Sequence, residues 1–102
     1  TLSFNSKNGS VNNLGTIAGN LANVKGATLV NFTNSGTTSQ INGDITNSGL
    51  IANLANQGTI SGDITNNTNS TITNFTNSGT ITGNLYNDGH IDTLHNTGTM
   101  GT

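Results

Sequence analysis

Two short phrases alternate along this chain from Val11 to its end, so any fold it adopts must use both of them several times. The first phrase, I-x-G-[DN]-[IL]-x-N, occurs as IAGNLAN (17–23), INGDITN (41–47), ISGDITN (60–66) and ITGNLYN (81–87). The second, [ILV]-x-[NT]-[LF]-x-N-x-G-T, occurs as LVNFTNSGT (29–37), IANLANQGT (51–59), ITNFTNSGT (72–80) and IDTLHNTGT (91–99). VNNLGT (11–16) is a shortened copy. First phrases start at 17, 41, 60 and 81, giving spacings of 24, 19 and 21 residues. The surplus falls in VKGAT, in NTNST and in TSQ before Ile41. A period of this length is that of one coil of a stacked solenoid, whose units share a continuous core.

The residue types select the kind of solenoid. The 102 residues include 20 Asn, 19 Thr and 14 Gly, all weak helix formers, which excludes a helical repeat. Only 29% is hydrophobic, too little for an ordinary globular core but enough for one that reuses a small apolar set at each coil. Disorder goes with high net charge and scattered hydrophobes. Here the formal charge is −2 and the hydrophobes are periodic. A β-hairpin meander would explain the turns. It gives no reason for the same residue type to return at the same turn, whereas stacked coils place each position about 4.8 Å above its copy. The expected fold is therefore all-β, a parallel β-solenoid with coils of about 19–24 residues, running from 11 to 102 after an irregular start over 1–10 that pairs Leu2 and Phe4. Met100-Gly101-Thr102 stands where another first phrase would begin, which reads as a segment of a longer array with an end open to end-to-end pairing.

In the first phrase, alternation points the opening Ile, the Gly and the second apolar residue inward, with Gly leaving room for a bulky side chain of the opposite wall. That inward set is Ile17, Gly19, Leu21; Ile41, Gly43, Ile45; Ile60, Gly62, Ile64; and Ile81, Gly83, Leu85. In the second phrase the apolar pair is three apart, which implies a bend or bulge. It adds Ile51 and Leu54, Ile72 and Phe75, and Ile91 and Leu94 to the core. Asn-x-Gly then provides positive φ at a turn. Stacking makes ladders of Asn23, Asn47, Asn66 and Asn87, and of Asn34, Asn56, Asn77 and Asn96, whose amides bond one another and the turns.

No residue set here points to chemistry. Asp44 and Asp63 share a repeat position with Asn20 and Asn84, so two carboxylates come within about 4.8 Å. They suggest either Ca²⁺ binding or, better, a hydrogen-bonded acidic column, because the G-G-x-G-x-D nonapeptide is absent. No aromatic sugar platform accompanies them, which disfavours glycoside hydrolysis. His90, Asp92 and His95, with Asp88 nearby, are too loosely spaced for Zn²⁺, and His95 stands at an outward position held elsewhere by Thr33, Ala55 and Thr76. Outward residues vary (Ala22, Thr46, Thr65, Tyr86; Ala18, Asn42, Ser61, Thr82), so no uniform Thr face matches an ice lattice. N-x-[ST] triplets at Asn8, Asn31, Asn66, Asn69 and Asn74 are those expected by chance, and Asn8-Gly9 and Asn42-Gly43 are deamidation-prone. Two Lys and no Arg disfavour nucleic acid. No apolar run reaches membrane-span length, and there is no signal-peptide pattern. Zero Cys excludes disulfides and thiolate metal sites. No cofactor is expected.

The alternation in NLGTIAGNLAN (13–23), NQGTISGDITN (56–66) and NSGTITGNLYN (77–87) resembles the repeat-rich passenger regions of Gram-negative autotransporters. It is also similar to filamentous, haemagglutinin-type adhesins of two-partner secretion. That resemblance implies a right-handed β-helix, secreted to the bacterial cell surface and held at the outer membrane through parts outside this segment. It shares no catalytic motif, so no functional residue carries over. The expected role is a non-catalytic structural and adhesive module meeting host or surface glycans and proteins. The alternatives are a glycan- or ice-binding module using outward Asn/Thr columns and the inserted loops, and, behind that, a polysaccharide-acting enzyme.

Overall fold

The computed structural model describes residues 2–101. Each coil contributes three strands. The first holds β1 (Leu2–Phe4), β2 (Gly9–Asn13) and β3 (Thr16–Ile17). The second holds β4 (Leu21–Asn23), β5 (Thr28–Asn34) and β6 (Gln40–Ile41). The third holds β7 (Ile45–Asn47), β8 (Leu50–Asn56) and β9 (Thr59–Ile60). The fourth holds β10 (Ile64–Asn66), β11 (Thr71–Asn77) and β12 (Thr80–Ile81). The fifth holds β13 (Leu85–Asn87), β14 (His90–Asn96) and β15 (Thr99–Met100). Like strands of successive coils pair in parallel, giving three five-stranded sheets around one core. The fold is the parallel β-solenoid that the repeat predicts, with five coils and no helix among the described residues.

Stacking is in register by residue type. Ile45, Ile64 and Leu85 stand above Leu21, and Ile41, Ile60, Ile81 and Met100 above Ile17. Phe32, Leu54, Phe75 and Leu94 form a third column above Val11. Ile41, Ile45, Ile51, Leu54, Ile60, Ile64, Ile72, Phe75 and Ile81 are buried. Each full burial contributes about 1.5–3 kcal/mol. In the long strands the apolar residues are three apart because the strand bends between them. Pairing passes over Val30, Ala52, Thr73 and Asp92, which leaves two outward residues between two inward ones.

Three expectations need correction. Leu94 is 48% exposed, and Leu85 and Ile91 are only partly buried, because the fifth coil has no covering coil among the described residues. The first-phrase glycines do not face the opposite wall. They stand at a corner between two strands, and Gly43, Gly62 and Gly83 are pressed onto the corner below. A Cβ on Gly43 would lie 2.2 Å from the Gly19 carbonyl oxygen, and one on Gly62 would lie 2.3 Å from that of Gly43. No side chain fits that gap. Positive φ is likewise not general to Asn-x-Gly. Among the described residues it occurs at Gly26, Gly36 and Asn69, all inside inserted turns.

The insertions explain the uneven coil length. After the Asn that closes the short strand, coils three and five turn through Ser48-Gly49 and Asp88-Gly89. Coils two and four turn through VKGA and NTNS at the same place. After the Asn that closes the long strand, only coil two is extended, by the longer turn Ser35–Ser39. Coils without an insertion have the minimal 19 residues, as in Ile41↔Ile60 and Ile81↔Met100.

Candidate functional site: asparagine ladders and a notched corner

Two ladders run through the interior where strands meet corners. In one, the Nδ2 of Asn23, Asn47 and Asn66 donates to the Oδ1 of the Asn one coil above, reaching Asn87, at 2.9 Å each. In the other, Asn13, Asn34, Asn56 and Asn77 do the same, reaching Asn96, at 2.8–2.9 Å. Asn34, Asn47, Asn66 and Asn77 are 0% exposed. Each amide also donates to corner carbonyls, as Asn47 Nδ2 does to Gly49 O and Thr71 O. Buried amides are costly unless paired, and here the partner is a translated copy of the same side chain. Asn23 Oδ1 is the exception, buried and unpaired. Phe4 holds the ladder position beneath it, so the donor that every later rung receives from below is missing.

Asn13 was not among the expected rungs, because VNNLGT is too short to display the second phrase in full. A third ladder was also unforeseen. It lies on the exposed face of the long strands, where Asn74 Nδ2 donates to Asn53 Oδ1 and Asn53 Nδ2 to Asn31 Oδ1, opposite in sense to the interior ladders. The signal was the invariant first Asn of NFTN, NLAN and NFTN.

Asp44 and Asp63 are built into a fourth column. Asn20 Oδ1 accepts the Asp44 N–H, Asp44 Oδ1 the Asp63 N–H, and Asp63 Oδ1 the Asn84 N–H, each at 2.8 Å. Each carboxylate thus bonds the corner above it, a task that an amide oxygen performs equally well at position 20. Replacing both with Asn is expected to leave the thermal midpoint within about 2 °C, since exposed pairs contribute little. Asp63→Ala should cost about 1 kcal/mol by removing the acceptor for the Asn84 N–H, as read by urea unfolding.

His90 Nε2 contacts Asp92 Oδ1, both side chains being exposed. His95 pairs in register with Thr76 on the neighbouring strand. Among the described residues no three His, Cys, Asp or Glu side chains converge on one point.

A concave feature lies along the corner carrying VKGA and NTNS. A notch of about 650 Å³ opens between these two turns, with Ser48, Gly49 and Leu50 of the intervening short turn at its base. A second, of about 290 Å³, lies beyond NTNS and is lined by Asp88, Gly89 and His90. The sequence marks VKGAT and NTNST as surplus loops available for binding, and the structure places them on one edge, two coils apart. Comparison with protein-family models, with curated proteins and with solved structures returns no match.

Proposed function

We propose that this chain is a non-catalytic scaffold module of a secreted bacterial protein, a β-solenoid rod that spaces and presents binding surfaces at the cell surface. The observation that carries the reading is the division between inner and outer positions. Inner columns keep one class of residue, apolar or Asn, because each must pack on or hydrogen-bond its counterpart one coil away. Outer positions that form no ladder change freely, as in Ala22, Thr46, Thr65 and Tyr86, which are aligned on one face. Such a rod keeps its register while its surface varies, the property a display stalk requires. The likeness of its repeat style to autotransporter passengers and filamentous haemagglutinins supports an exported, adhesive setting, with host or surface glycans and proteins as partners.

Beads coated with the chain are expected to be retained on epithelial monolayers above beads carrying blocking protein alone. Retention should fall when outward residues around Tyr86 and the notched corner are replaced by Ser, with circular dichroism unchanged. Retention no better than the blocking protein would overturn the adhesive part of the proposal.

A further inference from the structure

Over coils two to five the notched corner alternates in profile, above a further four-residue turn (5–8) in coil one. The register Thr28↔Leu50, Leu50↔Thr71 and Thr71↔His90 sets the turns of coils two to five at successive levels. Their order is long, short, long, short. Two long turns two levels apart are separated by about 9.6 Å, twice the strand spacing. The space between them is that of one missing turn. What fits is a turn of the same size, standing one strand spacing from each neighbour.

A second copy of the chain provides such turns. Consider a two-fold axis perpendicular to the solenoid, passing through this corner midway between coils three and four. It carries coil two to the level of coil five, coil four to that of coil three, and the reverse. Every long turn of coils two to five then faces a short one. The NTNS turn of one copy enters the notch over Ser48 and Gly49 of the other, and VKGA enters the notch beyond NTNS. The charges agree with this placement. Lys25, at the tip of VKGA, is exposed, and the notch it would enter is lined by Asp88. Under the two-fold axis this opposite-charge contact forms twice. A parallel arrangement, with the copies at equal levels, sets long turn against long turn and Lys25 against Lys25.

We propose that this corner is a self-complementary interface through which two copies of the chain pair side by side and antiparallel, with Lys25 of each placed against Asp88 of the other. Isologous contacts of this kind close on themselves and give dimers. The contact is confined to the turns of one corner, whereas a standard interface takes roughly 800 Å² from each partner. The pairing is therefore weak and salt-sensitive.

The test uses the absence of native Cys. Within one copy, coils two and five are three strand spacings apart, about 14 Å, while a disulfide needs Cα atoms within about 7 Å. Lys25→Cys/Asp88→Cys should therefore form an intermolecular disulfide dimer under mild oxidation, and either single variant should form far less. By sedimentation velocity at low salt, Lys25→Asp and Asp88→Lys should each lower the dimer fraction of the unmodified chain several-fold. The double variant Lys25→Asp/Asp88→Lys, which restores opposite charges, should recover it. Circular dichroism confirms that each variant is folded. Double-Cys dimer no more abundant than in the single variants would overturn the pairing, as would failure of the charge swap to recover it. Absent cross-linking, together with glycan binding that is lost when Ser48→Tyr fills the notch, would assign the notch to a saccharide instead.

Discussion

Asn56→Ala is expected to destabilise the solenoid by about 4 kcal/mol, a large share of the roughly 5–15 kcal/mol that holds a domain folded. Asn56 is the middle rung of its ladder. Its Oδ1 accepts from Asn34 Nδ2 at 2.9 Å, and its Nδ2 donates to Asn77 Oδ1 at 2.8 Å and to the carbonyls of Gly58 and Thr80 at 3.1 Å. Truncation deprives Asn77 Oδ1 of its donor inside the core and leaves corner carbonyls short of theirs. Each buried polar group so stranded costs about 1–3 kcal/mol, and the vacated space adds to this. Asn74→Ala, in the exposed ladder, is the control. Water replaces the lost partner there, so the cost should stay within about 0.5 kcal/mol. Urea unfolding of both variants decides the matter, and equal costs would show that the interior ladder carries no special weight.

The isosteric change Asn56→Asp separates hydrogen bonding from shape. At neutral pH the carboxylate cannot donate to Asn77 Oδ1, and two acceptors face each other. When protonated it regains one donor. Ionisation is resisted in the folded state and free in the unfolded chain, so the folded pKa stands above the unfolded value of about 4. Stability is then best preserved below about pH 4 and falls as pH rises above it. The parent chain, whose rung does not titrate, should show no such loss between pH 4 and 7.

The parts of the fold legible in the sequence are those where neighbouring coils must match. Ile41, Ile60 and Ile81 recur in the same phrase because each rests on the last. Asn13 lies in a truncated phrase that does not display its rung, and Phe4 occupies a position that is Asn in every later coil. The corner glycines misled through an ambiguity of spacing. Ile-x-Gly-x-Ile satisfies strict alternation within one strand, and equally fits two strands meeting at a corner with Gly between. Only the approach of the corner beneath, on which no Cβ can be placed, distinguishes the two. The notched edge lay half in view. VKGAT and NTNST both come after the closing Asn of a first phrase, while Ser48-Gly49 and Asp88-Gly89 come after the others. The long–short alternation is therefore written in the sequence. What the chain alone does not display is that these turns share one edge, since that depends on every coil closing in register.

The second large effect is expected within the segment NFTNSGT, which occurs identically at Asn31–Thr37 and Asn74–Thr80. Gly79→Ala should cost about 3 kcal/mol or more, and Gly36→Ala only about 1 kcal/mol. At Gly79 a Cβ would lie 2.1 Å from the Gly58 carbonyl oxygen and 2.7 Å from Gln57 backbone atoms. That oxygen accepts the Thr80 N–H at 2.8 Å, so it cannot retreat without opening the pairing between coils three and four. Overpacking against a fixed backbone appears as strain. At Gly36 a Cβ meets nothing within 4 Å, and the penalty is that of an Ala at φ +81°. Gly36→Asn should cost less still, since Asn69 adopts φ 67° in the NTNST turn and Asn tolerates this region. The identical heptapeptides differ in role because the residues after them differ. Ile81 comes two residues after Gly79, which keeps Gly79 at the stacked corner. Thr38, Ser39 and Gln40 intervene before Ile41, so the corner passes to Ser39, whose carbonyl accepts the Thr59 N–H at 2.9 Å. Gly36 is thereby freed to swing outward. Urea midpoints of the three variants, with hydrogen exchange at Thr80, test this order. An equal cost at the two glycines would mean that the local phrase, and not the coil beneath it, sets the conformation.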